Sequence, residues 1–235
     1  MTVSERLGAE DWDRVEVALR ERPYARLAAR LTRAECEALV ALYDDDRRFR
    51  SRVDMRRHRF GEGDYKYFAR PLPPLVEDLR AKSYPPLARV ANSWMDALRL
   101  PQRFEPALEG FLRRCRRAGQ ARPTPLLLHY EAGGYNCLHQ DVYGPVAFPL
   151  QLVAFLSRPG EDYTGGEFLL VEQRPRAQSM GEAITAEQGE MVVFANRLRP
   201  APGARGPYRA NVRHGVSPVR SGRRFTLGVI FHDAE

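Results

Sequence analysis

After Pro123 the chain breaks into short β-rich runs punctuated by glycine and proline, over 126–130, 137–141, 147–156, 167–172, 190–195, 212–219 and 225–232. Seven short strands with turn residues between them predict an antiparallel sandwich or barrel. The first half reads differently. Trp12, Val15 and Leu19 recur at helical spacing. Thr32 and Glu35 form a capping box opening a helix with the stripe Cys36, Leu39, Val40 and Tyr43. A further helix is expected from about Pro86 to Leu98, with Leu87, Val90, Ala91 and Trp94 on one face. The expected class is therefore mostly β with flanking helices (α+β). A helix-rich support region over 1–122 would pack on a β core over 123–235, as one compact domain. The stretch 197–211 carries no strand signal, and a loop of that length is expected to be a lid or binding loop.

Composition excludes several alternatives. Apolar residues are 43% of the chain and charged residues 29%, an ordinary globular balance. No run of 18 apolar residues exists, so no membrane partner is expected. The N-terminus lacks the basic-then-apolar order of a secretory signal. Cys36, Cys115 and Cys137 fit neither a zinc ribbon nor a disulfide framework, which points to a reduced, cytoplasmic setting. The net charge of +7 makes nucleic acid a candidate partner. Yet only Lys66 and Lys82 of the 37 basic residues are lysine, and the 35 arginines run through the whole chain. They concentrate over 47–59, 113–117 and 197–213. The general expectation for such runs is a solvated face.

The chemistry gathers around His139-Gln140-Asp141. On a strand, residues i and i+2 share a face, so His139 and Asp141 would point together into the barrel. An imidazole and a carboxylate so placed are two corners of a metal site. Taken alone the pair is weak evidence, since five histidines and 12 aspartates produce such a match by chance in about one chain in four. Near the C-terminus, His214 begins the run H-G-V-S-P-V-R-S-G-R-R-F-T-L, and Arg224 opens the next strand ten residues on. Two histidines and one carboxylate leave open positions on ferrous iron. A deeper guanidinium can grip a carboxylate through two parallel hydrogen bonds.

With these motifs the sequence resembles the iron(II)/2-oxoglutarate-dependent dioxygenases, in their prolyl 4-hydroxylase-like and AlkB-like branches. The resemblance covers about residues 124–235. It rests on H-x-D, on the distal histidine with its G-V-x-P-V-x-x-G-x-R, and on T-G-G-E-F at 164–168, all in the family's order. It implies a double-stranded β-helix, or jelly roll. It implies that His139, Asp141 and His214 bind Fe(II), and that Arg224, assisted by Thr226, binds the distal carboxylate of 2-oxoglutarate. Tyr130 matches a co-substrate tyrosine of the AlkB branch. The asparagine which that branch carries two residues earlier is Leu128 here.

The implied reaction consumes dioxygen and 2-oxoglutarate, releases succinate and carbon dioxide, and hydroxylates a C–H bond. Ascorbate is a candidate reductant. The whole chain also resembles a bacterial subgroup of these oxygenases proposed to act on damaged nucleic acid. Three functions follow as expectations: hydroxylation of a peptidyl or small-molecule substrate, oxidative dealkylation of nucleic-acid bases, and a non-catalytic jelly-roll binding module. Tyr143, Asn196, Arg197 and Tyr208 are the candidates to face substrate, with Arg199, Arg205 and Arg209 as further lid arginines and Phe148 as a stacking platform.

Overall fold

The computed structural model describes residues 1–204 and 206–235. The chain opens with the helices α1 (Val3–Gly8) and α2 (Trp12–Glu21), the strand β1 (Tyr24–Arg26) and α3 (Arg33–Ala41). The strands β2 (Phe49–Asp54), β3 (Gly61–Glu62) and β4 (Asp64–Phe68) follow, then α4 (Pro74–Ala97) and α5 (Leu108–Arg117). The remainder is β: β5 (Leu126–Glu131), β6 (Tyr135–His139), β7 (Leu150–Phe155), β8 (Tyr163–Gly165), β9 (Phe168–Gln173), β10 (Met180–Ile184), β11 (Met191–Ala195), β12 (Leu198–Ala201), β13 (Tyr208–Val216) and β14 (Val219–Ile230).

These strands form two antiparallel sheets. The larger runs β1-β11-β7-β14-β5-β4-β2, with β8 joined to the start of β14. The smaller runs β10-β9-β13-β6-β3, with β12 on β13. Burial explains the composition of each. Every residue of β7 and β11 is buried, so β11 reads as an unbroken apolar run and β7 as one interrupted only by Gln151. β9 alternates between inward Phe168, Leu170 and Glu172 and outward partners, as a strand with one solvent face must. Helix α4 packs on the larger sheet, and its Tyr84 meets Phe111, Phe148 and Phe231 at ring distances of 5.1–5.9 Å. The expected jelly roll with helical flanks is therefore the architecture observed.

Several boundaries differ from expectation, each for a physical reason. Helix α4 begins at Pro74, not near Pro86, and carries Pro85 and Pro86 inside it. An interior proline costs a helix about 3 kcal/mol. The buried stripe Val76, Leu79, Tyr84, Leu87, Ala91 and Trp94 outweighs that cost. The first 122 residues supply more than helices. β1 pairs with β11, and β4 pairs with β5, so the larger sheet is built from both halves of the chain. The stretch expected to be a lid is largely a hairpin, with Leu198 opposite Asn211 and Ala201 opposite Tyr208. Its proline and arginine content hid the strands. Arg205 lies outside the described residues.

One arginine of that hairpin has a structural task. Arg199 is 1% exposed and meets the equally buried Glu172 of β9 at 2.6 Å. It also donates to the main-chain carbonyls of Leu19 and Arg20, at the end of α2. It thereby fastens α2 to the smaller sheet. Removing one partner of a buried ion pair leaves an uncompensated charge. Glu172→Gln should therefore cost about 3–5 kcal/mol of unfolding free energy in urea titration, and the further change Arg199→Met should restore part of it.

Candidate metal centre

A cavity of about 360 Å³ lies between the sheets. At one end stand His139, Asp141 and His214, with one ligand atom from each all within 4.8 Å of one another. Strand pairing accounts for the histidines: His139 on β6 is the register partner of His214 on β13, and their rings lie 4.2 Å apart. Asp141 lies two residues past the end of β6. Its Oδ1 is 3.6 Å from His139 Nε2, and its Oδ2 is 3.3 Å from His214 Nε2. Gln140, between them, turns away and donates to Asn211 Oδ1 and the Val212 carbonyl.

The protonation states suit metal ligation. His139 Nδ1 is 2.8 Å from the Cys137 carbonyl, which fixes its proton there and leaves the Nε2 lone pair free. Burial lowers the His214 pKa, and the neighbouring His139 lowers it further against the opposing pull of Asp141. Burial alone would raise the pKa of Asp141. The hydrogen bond and charge of His214, with His139 and the Tyr143 hydroxyl, outweigh burial and hold it far below the usual carboxylate range.

Arg224 lines the same cavity and is 1% exposed. Its Nε and Nη1 are buried with no hydrogen-bond partner among the described residues. A buried guanidinium without an acceptor is costly, and so uncommon in a protein interior. Its register partner on β5 is Tyr130, and Thr226, two residues on, is opposite Leu128. All four side chains line the cavity. Burial pushes the Tyr130 hydroxyl up to about 12 against the pull of Arg224, so it stays a donor at neutral pH. The T-G-G-E-F motif has a local purpose. At Gly166, with φ +65°, a Cβ would fall 2.8 Å from Arg224 Cδ, so only glycine leaves room for the arginine stem.

Other candidates lie elsewhere. Tyr143 lines the cavity, but its hydroxyl donates to Asp141 Oδ1 at 2.6 Å and is not free to grip a substrate. Asn196 is 1% exposed and bonds both main-chain groups of Asp141. Arg197 is exposed and Tyr208 half-buried, and neither lines the cavity. Arg199 is the buried clasp described above, Arg209 is exposed, and Phe148 is sealed in the core.

Sequence parity missed two cavity residues. Gln151 on β7 donates to Asp141 Oδ2 at 3.0 Å. Asn136 on β6 donates to the Tyr130 hydroxyl at 3.3 Å. Strand alternation from His139 turns Asn136 outward. A bulge in the β6–β13 pairing, where Val216 faces Asn136, brings it inward instead.

The class of protein follows from the fold. Two antiparallel sheets in this arrangement match a Pseudomonas putida prolyl-4-hydroxylase with a TM-score of 0.54 at 16% identity, over 95% of this chain and 100% of that one. They match a 2OG-Fe(II) oxygenase-family oxidoreductase from Burkholderia pseudomallei equally well, at 15% identity over 95% and 91% of the two chains. The fold is that of the 2-oxoglutarate/iron(II) oxygenases.

The chain belongs to the Oxygenase-NA family, whose model matches residues 63–234 and is described as an oxygenase catalysing oxidative methylation of damaged DNA. Two Mycobacterium tuberculosis proteins, the uncharacterized proteins MT2286 and Rv2227, are each 48% identical over 167 residues, 71% of this chain and 72% of theirs. The chain is thus an oxygenase, which sets aside a non-catalytic binding module. Among the described residues, no helix is long and apolar enough to cross a membrane.

His232 is fully buried beside this site, and its Nδ1 accepts the Phe148 N–H at 3.2 Å. Burial lowers its pKa from 6.5 to about 4. Below pH 6.5 the unfolded chain takes up the proton first, so the stability that His232 confers is present above 6.5 and disappears as pH falls through 4. About 3 kcal/mol is at stake. Measured without metal, His232→Asn should flatten the stability curve between those pH values, and an unchanged slope would contradict this.

Proposed function

We propose that the chain is an iron(II)/2-oxoglutarate-dependent dioxygenase whose iron is held by His139, Asp141 and His214. Arg224, with Thr226 and Tyr130, takes the distal carboxylate of the co-substrate. One observation carries this reading. Three donor atoms of the right types converge in a cavity lined also by a buried arginine that has no hydrogen-bond or ion-pair partner for its Nε and Nη1 among the described residues. Two imidazoles and one carboxylate suit ferrous iron with positions left open. The orphaned guanidinium suits a carboxylate through paired hydrogen bonds.

When bound, iron with 2-oxoglutarate and dioxygen supplies an oxidant that breaks a C–H bond, with succinate and carbon dioxide released. The chain's own residues prepare for it. The Cys137 carbonyl holds His139 in the ligating tautomer. Phe168, Phe194 and Val153 form apolar walls that keep water from the centre. The more exposed His139 faces the opening, while Arg224 sits deep. This orders the reactants, with the co-substrate inside and the substrate outside. A peptidyl or small-molecule C–H bond is one substrate class consistent with the prolyl-hydroxylase-like fold.

The rim supports a second reading, nucleic acid, in line with the family's description. Phe60 lines the cavity, is 47% exposed and is stacked on by His58. Its carbonyl accepts the Cys137 N–H, two residues from His139. Beside it, Arg59 is exposed, as is Arg213 next to His214, and neither has an ion-pair partner among the described residues. An exposed aromatic with free cations suits a flipped base and its phosphates. An N-methyl group hydroxylated there would leave as formaldehyde.

In a succinate-release assay with iron and 2-oxoglutarate, His139→Ala and Asp141→Ala should abolish turnover. Arg224→Lys should weaken 2-oxoglutarate binding by about 1.5–3 kcal/mol. Unchanged values would refute the corresponding assignments. Affinity for single-stranded DNA should fall steeply between about 50 and 200 mM salt. No detectable binding at the lower concentration removes the nucleic-acid reading.

A further inference from the structure

We propose that Tyr143 and Gln151 are positioning residues that fix the plane of the Asp141 carboxylate and thereby set the affinity of the centre for its metal. This rests on the metal reading above.

The two histidines need little help, because strand pairing sets them opposite each other. Asp141 has no such support. It lies beyond the end of β6, where no ladder bond holds its main chain. Side chains from four other places do the work. Asn196, just past β11, clamps the backbone by accepting the Asp141 N–H at 2.9 Å and donating to its carbonyl at 2.5 Å. Gln151, from β7 on the opposite sheet, donates to Oδ2 at 3.0 Å. Tyr143, two residues on in the chain, donates to Oδ1 at 2.6 Å. Tyr67, from β4, donates in turn to the Tyr143 hydroxyl at 3.0 Å.

The direction of that chain is forced. An ionised carboxylate can only accept, so Tyr143 donates to it, and the Tyr143 oxygen is then the acceptor for Tyr67. Each donor strengthens the next. Each carboxylate oxygen thus has one donor of its own, and neither can rotate without breaking a buried bond. The carboxylate is held with Oδ1 toward His139 and Oδ2 toward His214. Partners of this kind, one bond removed from a metal, typically change its affinity 10–100-fold when deleted.

The test is cobalt(II) titration of the full chain without 2-oxoglutarate, followed by visible absorption, alongside melting of the metal-free protein. Tyr143→Phe and Gln151→Leu should each raise the cobalt(II) Kd by about 10–100-fold. Each should also alter the cobalt band shape while leaving the metal-free melting temperature near that of the parent. Tyr67→Phe, one bond further out, should have a smaller effect in the same direction. Unchanged cobalt(II) affinity in both variants overturns the proposal. So does a loss of affinity matched by a comparable fall in metal-free melting temperature, which would assign the residues to packing. His139→Ala separates the two levels. If it also binds cobalt(II) like the parent, the metal reading itself fails. If it alone loses cobalt(II), only this inference does.

Discussion

The antiparallel pairing of β6 with β13 is the constraint on which the centre depends. It brings two histidines 75 residues apart in sequence into direct opposition. The β5–β14 pairing does the same for Tyr130 and Arg224 on the other sheet. The ends of the cavity are thus set by main-chain hydrogen bonds. Side chains placed by a ladder lose little further freedom on binding a ligand, which is the physical content of preorganisation. The bulge in β6 is a departure with a consequence, because it adds the Asn136 amide to a wall that strict alternation would leave without it.

Charge has three distinct fates here. Most arginines lie at the surface, many in ion pairs such as Arg26 with Glu190 or Arg158 with Asp162. Arg80 and Arg199 are buried and ion-paired, with Asp233 and Glu172. Arg224 is equally buried but has no ion-pair partner among the described residues. Burial is the same in all three, and the missing carboxylate partner sets Arg224 apart. Composition cannot make that distinction, since all three are single letters in an arginine-rich chain.

The legible parts of the fold were those with local signals. Glycine and proline delimited β5, β7, β9 and β11 to within a few residues, and the Thr32–Glu35 capping box located α3, whereas β14 begins at Val219, well before the expected 225. The triad residues and Arg224 were legible through motif spacing, and their convergence in space agrees with that spacing. What escaped depends on distant partners. β1 is a short strand that exists because a sheet edge elsewhere accepts it. β12 and the start of β13 are built from arginine, proline and alanine, which carry weak strand signals. Gln151 lies on β7 and Asn196 just past β11, both outside the strand that leads into H-x-D, so no strand periodicity could link them to Asp141. Tyr143 lay close enough to notice, but sequence alone could not tell a hydroxyl facing substrate from one bonded to the carboxylate.

The strand β1 occupies one edge of the larger sheet, and its partner is β11. Tyr24 is paired with Phe194, so the ribosome must add about 170 residues before that edge can close. Until then the buried faces of β7 and of helix α2 have no lasting cover. Non-local pairings of this kind slow folding and leave apolar surface exposed while the chain grows. The architecture that sets the cavity so firmly in the finished molecule therefore delays its closure until β11 has been made, and until then the emerging chain is open to capture by chaperones or by other copies of itself.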